Sequence, residues 1–432
     1  MLRLGDIDQR SGDTSAAIAR LGHAADRFAG EGDDRGRGEA LRLLGMAQMF
    51  SGKLDEARAS ILQARDAFEA ADDRAGQGWA QQNLAWVAML GGDLETTETE
   101  VGRASSLFAG VDETVGAAWA LGLLAYVRFA QGRREEAETL ASSILGDAAG
   151  RGDRWASAMM RGLLGSLRLW SGRVSEALEE TAVAAQTFRD LGDPWGLSVT
   201  MATHGRALAM SGQVDAGFAA LASLRDSAGS DRTNGMGRIG TLALAVQVGE
   251  PARASAGTDV RTLHANGVMF QSEGDATVAL AQLQQGEVVA VPDADGRAHG
   301  FAASALVAAA AGLTDDALDR ASAVEGCAEA TYLDRSTALV AAGLATVGRG
   351  EDCAGLGCIE SAAEVVGATD DRVGQAMVAV ARAVAAEVGR ADSAVADRAR
   401  AAAALDELGL TGAGWEVAFT LAAGARPHAA VH

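Results

Sequence analysis

Apolar and small residues return along this chain with one constant step. The stretch LRLLGMAQMFSGKLDEARASILQARDAFEAADD, residues 41–73, has near copies on both sides, each displaced by 40 positions. Glycine stands at 12, 52, 92, 132, 172 and 212, and phenylalanine at 28, 68, 108 and 188, with Ala148 breaking the second series. The small residues keep a finer spacing: Gly45, Gly52, Ala57 and Ala64 match Gly5, Gly12, Ala17 and Ala24, and again Gly165, Gly172, Ala177 and Ala184. No useful length of chain alternates apolar and polar residues with period two, so strands are not expected. A fixed period of roughly 20–50 residues marks a stacked repeat array, in which each unit packs only on its neighbours.

Each unit reads as two antiparallel helices. Small residues let the pair approach closely, and the glycine of the 12–212 series takes the left-handed conformation that ends the first helix. Acidic or hydroxyl residues follow in the first turn of the second helix (Ser15, Asp55, Glu95, Glu135, Ser175, Asp215), where they suit its free N–H groups and dipole. Turns such as Gly32-Asp33, Asp72-Asp73, Gly152-Asp153 and Gly192-Asp193-Pro194 close the units.

The pattern is regular over 1–226 and decays afterwards. SAGSDRTNGMG, 227–237, reads as a loop. Over 238–424 the turn glycines are read as Gly249, Gly286, Gly312, Gly350 and Gly389. The step from Gly286 to Gly312 is too short for two helices, and Pro292 and Gly296 place a second loop at 287–300. These two loops are expected to weaken coupling between the halves. Residues 415–423 read as an unpaired capping helix and 425–432 as a tail. Met1 falls inside a first helix that lacks its opening turn, which suggests a longer protein or an upstream partner.

Composition agrees with an all-α chain: it is rich in Ala, Leu, Glu and Arg, with four prolines. The net charge of −21 opposes non-specific binding of nucleic acid or anionic membrane, because phosphates are repelled. The start MLRLGDIDQR has no apolar segment of a secretory signal, and the longest apolar run, Phe301–Leu313, is about half of a membrane span. A cytoplasmic location is expected. Cys327, Cys353 and Cys358 have neither a disulfide framework nor a zinc spacing and read as buried small residues.

Candidate chemistry is sparse. FSGKLDEA around Lys53, the only lysine, lacks the upstream glycine and the following Ser/Thr of a phosphate loop. Gly355-Leu356-Gly357 has no third glycine and follows no strand. His204 replaces the leucines at 44, 84, 124 and 164 and reads as a packed core histidine. No catalytic, cofactor-binding or metal-binding set is expected, and the chain reads as a non-enzyme.

The small-residue pattern from Leu44 to Ala64, L-G-x(6)-G-x(4)-A-x(6)-A, resembles the tetratricopeptide repeat. The period departs from that family's usual value of about 34 residues. Long units of this kind are similar to the C-terminal repeat regions of MalT-like and LuxR-type ATP-dependent regulators and of cyclase-associated ATPases of bacteria. The resemblance implies a right-handed superhelical solenoid of antiparallel helix pairs. It implies a concave face lined by the second, fifth, ninth and twelfth positions of each first helix. With Gly45 as position eight, these include Arg42, Met46, Met49, Trp79, Gln82, Trp86, Met89, Trp119, Tyr126, Phe129, Met159 and Leu169. Two readings of this aromatic, Met-rich patch stand open. It could be a groove, or the lengthened helices could close it and bury the rings as core.

The resemblance implies a non-catalytic binding scaffold, the sensor or interaction part of a bacterial signalling or transcription-regulatory ATPase. Its partner would be a protein or peptide, helical or extended, or a small-molecule effector. An ATPase or regulator domain would precede it covalently. Direct DNA binding is not expected, since Gly424–His432 holds no helix-turn-helix. A stand-alone peptide-sensing repeat protein is the alternative, and an enzyme with an unrecognised site a lesser one.

Overall fold

A computed structural model describes residues 14–111, 113–226, 240–253, 271–292 and 297–424. The loop read at 227–237, the tail at 425–432 and Met1 lie outside the described residues. Every regular element among them is helical. No described helix is long and apolar enough to cross a membrane.

The first described helix is α1 (Thr14–Glu31), a second helix. Five pairs follow: α2 (Asp34–Phe50) with α3 (Leu54–Ala70), α4 (Arg74–Leu90) with α5 (Leu94–Ala109), α6 (Thr114–Ala130) with α7 (Arg134–Arg151), α8 (Arg154–Trp170) with α9 (Val174–Leu191), and α10 (Pro194–Met210) with α11 (Val214–Asp226). Successive first helices touch, α2 with α4, α4 with α6, α6 with α8 and α8 with α10, whereas successive second helices make at most marginal contact. The first helices therefore line the inside of the curve. The chain is an all-α solenoid.

The turn chemistry explains the period. Gly52, Gly92, Gly132, Gly172 and Gly212 all have φ between 75° and 101°, which a side chain resists. The aspartates of the other turn cap the next first helix: Asp33, Asp73, Asp153 and Asp193 accept the backbone N–H three residues on. In the second half the left-handed residue after the helix Arg372–Val388 is Arg390, φ 53°, and Gly389 keeps helical geometry, one residue away from the sequence reading.

The phenylalanine series has a partner that the sequence reading passed over. A Cβ on Gly76 would stand 2.3 Å from the Phe68 ring, one on Gly116 2.4 Å from Phe108, and one on Gly196 2.4 Å from Phe188. Each ring lies on the backbone of the next first helix, and only glycine leaves room for it. Where Ala148 replaces the ring, Ala156 replaces the glycine.

The second half holds a helix over 240–247 (α12), then α13 (Gln271–Gln284), α14 (Ala298–Ala310), α15 (Thr314–Ala323), α16 (Tyr332–Gly348), α17 (Asp352–Gly367), α18 (Arg372–Val388), α19 (Ala394–Leu408) and α20 (Ala413–Ala422). Residues 287–292 carry no helix, and α14 starts inside the stretch read as a loop. The last helix does not sit at the end of the stack. It folds back across α13, α14, α16 and α18, with Trp415 and Phe419 buried. Trp415 covers Gly249, and Gly414 N–H donates to Gly249 O at 3.1 Å.

The halves dock directly on each other, contrary to the weak coupling expected from the loops. Arg134 donates to the carbonyls of Glu329 and Ala330. Asp370 accepts from the N–H and the hydroxyl of Ser175 at 2.8 and 2.6 Å, capping α9 from the other half. Tyr332 and Leu333 pack against Leu169, Val174 and Met210. The cysteines are not buried: Cys353 is exposed, and Cys327 and Cys358 are half-buried.

Candidate functional site

The aromatic positions converge through the repeat. Trp79 on α4 meets Trp119 on α6 at 6.1 Å between ring centroids, and Trp119 stacks on Trp155 of α8 at 4.6 Å and 6° between planes. Midway along the helices, Trp86 meets Tyr126 at 6.1 Å and Trp195 at 6.0 Å. The residues Trp79, Trp86, Trp119, Tyr126 and Trp155 are each half-buried.

Burial divides the twelve residues read as a groove lining. Met49, Gln82, Met89, Met159 and Leu169 are at most 4% exposed and pack between helices. For Met49 and Met89 the physical reason is reach: at this helix length these twelfth positions pack into the neighbouring repeat. Leu169 lies in a cluster with Ala207 and Met210 of the next repeat, against which Tyr332 and Leu333 of the second half pack. Arg42 and Met46 lie half-buried but stand apart from the rings, Arg42 paired bidentately with Glu39 and in contact with the Met46 sulfur. Phe129 is half-buried against the cluster that holds Leu163 and Leu167.

What remains is a small cavity of about 20 Å³, partly open to solvent. Its walls include Trp86, Trp119, Tyr126 and Trp155, with Met159, Met160 and Gly122 among the other contacts and Arg151 also lining it. Its polar atoms are largely committed. Tyr126 O–H donates to Met159 O at 3.1 Å, and burial pushes that phenol's pKa up. Trp155 Nε1–H donates to Asp193 Oδ2 at 2.6 Å. Such a lining is largely apolar, has room for about one water and offers few hydrogen bonds of its own.

Trp155, Trp195, Met160 and Arg151 were absent from the sequence reading. A signal existed for two of them, since Trp155 and Trp195 stand one period apart. They sit one helical turn before the positions assigned to the concave face. Arg151 comes from the end of a second helix, which that assignment did not include.

Away from the rings, His204 Nδ1 lies 2.9 Å from the Thr181 hydroxyl, half-buried, and burial lowers its pKa. Among the described residues no group of three or more His, Cys, Asp or Glu side chains could hold a metal ion.

No protein-family model matches the chain, and no curated protein matches it in sequence.

Proposed function

We propose that this chain is a non-catalytic binding scaffold of tetratricopeptide-like repeats, working in a bacterial signalling or regulatory assembly. The ring track from Trp79 through Trp119 to Trp155, along the starts of successive first helices, carries this reading. Half-exposed aromatic rings cost solvation and suit a partner that covers them. Val111 and Val115 beside this track are 40% and 37% exposed and extend the apolar surface. The acidic surface keeps such an apolar patch from capturing nucleic acid.

The test is capture from a bacterial lysate by the immobilised intact chain, compared with a Trp79→Ala/Trp119→Ala variant whose folding is checked by circular dichroism. A protein or peptide retained by the native chain and lost with the variant supports the reading. The same retained set with both would sink it.

A further inference from the structure

The inside of the curve is filled differently in the two halves. In the first half the rings of the first helices close on one another, Trp86 on Tyr126 and Trp195. In the second half α13, α14, α16 and α18 are the first helices. They end at left-handed residues, Gly286, Gly312, Gly350 and Arg390, and each touches the next. α13 and α18 hold no aromatic residue, and Trp415 is the only tryptophan after Trp195. The small inner side chains leave a groove, and α20 lies in it, touching all four helices. Trp415, Ala418, Phe419 and Ala422 are at most 2% exposed and share one apolar cluster with Ala305, Val340, Leu344 and Val378. The polar tethers of α20 among the described residues lie at its start. Gly414 N–H donates to Gly249 O, Thr411 N–H donates to Glu250 Oε1 at 3.1 Å, and Arg398 pairs with Glu416 at 3.1 Å. Gly409 and Gly412, left-handed at φ 65° and 66°, bracket the link from α19 and can absorb a change of direction. α16 and α18 pack on their own second helices, α17 and α19, so α20 can leave without unpairing them. At 10 residues α20 is too short to hold a helix alone in water, and the groove orders it.

We propose that the groove over α13, α14, α16 and α18 is a second docking site, which α20 closes as an internal ligand and a partner helix opens. The partner helix presents tryptophan and phenylalanine four residues apart on an alanine-rich face, with an acidic residue after the tryptophan to meet Arg398. α20 is the template for that chemistry, through Trp415, Glu416, Ala418, Phe419 and Ala422. A helix laid in a groove through such anchors is a recurring mode of peptide recognition. Because α20 is tethered it competes at high effective concentration, so the contact is autoinhibitory and only a well-matched helix displaces it. The groove is built from other helices than the ring track, and either site can fail without the other.

Native-state hydrogen exchange of the full chain is the first test. The amides of α20 should exchange through an opening at least about tenfold more frequent than that of α16 and α18. The second test titrates a fluorescein-labelled peptide of residues 410–424, LTGAGWEVAFTLAAG, into the native chain and into full-length Trp415→Ala/Phe419→Ala, whose internal ligand is weakened. The variant should bind the peptide with a dissociation constant of about 10 μM or tighter, and about tenfold or more tightly than the native chain does. The same peptide with both rings replaced by alanine should not bind. Exchange of the α20 amides only through global unfolding overturns the proposal, and this measurement decides alone if the double variant does not fold. A folded double variant that ignores the peptide, or takes the alanine peptide equally well, overturns it too. Concentration-dependent dimers of the native chain with α20 exchanged between copies would overturn the partner assignment in favour of a second copy. Failure here, with the lysate partner still lost on Trp79→Ala/Trp119→Ala, overturns this docking site alone and leaves the scaffold reading standing.

Discussion

Trp86 and Trp195 meet edge to face, 6.0 Å between ring centroids, although Trp86 stands midway along α4 and Trp195 at the start of α10. The inner face of the curve is therefore bridged at its centre, and Trp86 packs against three separate apolar clusters. Midway along the first helices the rings close on one another, and at the helix starts Trp79, Trp119 and Trp155 are half-buried in contact with each other.

Trp86→Ala is accordingly expected to cost about 2–4 kcal/mol through lost burial and the cavity left behind. Urea unfolding measures this. A loss below about 1 kcal/mol would place Trp86 on an open surface.

The pairing of Phe68 with Gly76 predicts non-additivity. Gly76→Ala alone forces a Cβ into the ring and should cost about 2–3 kcal/mol, and Phe68→Ala alone about 3–5 kcal/mol. Together they reproduce the Ala148 and Ala156 combination of the fourth unit. The double variant should be at least about 1 kcal/mol more stable than the sum of the single losses implies. Additive losses in a double-mutant cycle would show that ring and glycine do not interact.

Gly52 and Gly172 occupy the same turn but different surroundings. Both have left-handed φ, 82° and 79°, so alanine strains either one. A Cβ on Gly52 meets nothing within 4 Å, whereas one on Gly172 would stand 2.3 Å from Thr369 Cγ2 in the other half. Gly52→Ala should cost about 1–2 kcal/mol, the backbone strain alone. Gly172→Ala should cost clearly more and loosen the docking of the halves, seen as faster amide exchange in α9 and α18. Equal losses at the two sites would argue against that contact in solution.

Asp371 gives a pH dependence. It is fully buried, accepts from Tyr332 O–H at 2.9 Å and Gly374 N–H at 3.0 Å, and burial raises its pKa to about 6. Arg206 and the hydrogen bonds oppose that rise without cancelling it. The folded chain thus holds this proton more tightly than the unfolded one. Asp371's contribution to stability is full below the ordinary aspartate value of 3.8, falls as pH rises from there to about 6, and is flat above. The difference is at most about 3 kcal/mol. Asp371→Asn removes this titration, so the wild-type minus variant stability difference should fall across this window in chemical denaturation. A wild type that gains stability from this residue between pH 4 and 6 would contradict the burial argument.

Sequence by itself determined the helix pairs. The turn glycines, the capping aspartates and the small residues between paired helices act over a few residues or within one unit, and each is a local requirement that a single letter can satisfy. The aromatic residues of the site were legible as types and partly as positions, Trp79, Trp86, Trp119 and Tyr126 among them. Burial of Met49, Met89 and Leu169 was not, because it depends on helix length against the curvature of the whole stack. Tertiary structure alone decided how α20 folds back over α13, α14, α16 and α18, and how Asp370 of one half caps α9 of the other. Those contacts join residues far apart in the chain through shape and a few hydrogen bonds, and no period in the sequence encodes them. The pocket lies between the two cases. Ala148 in a phenylalanine series is a visible break in a local pattern, but the space lined by Trp119, Tyr126 and Trp155 exists only once α6, α7 and α8 are packed together.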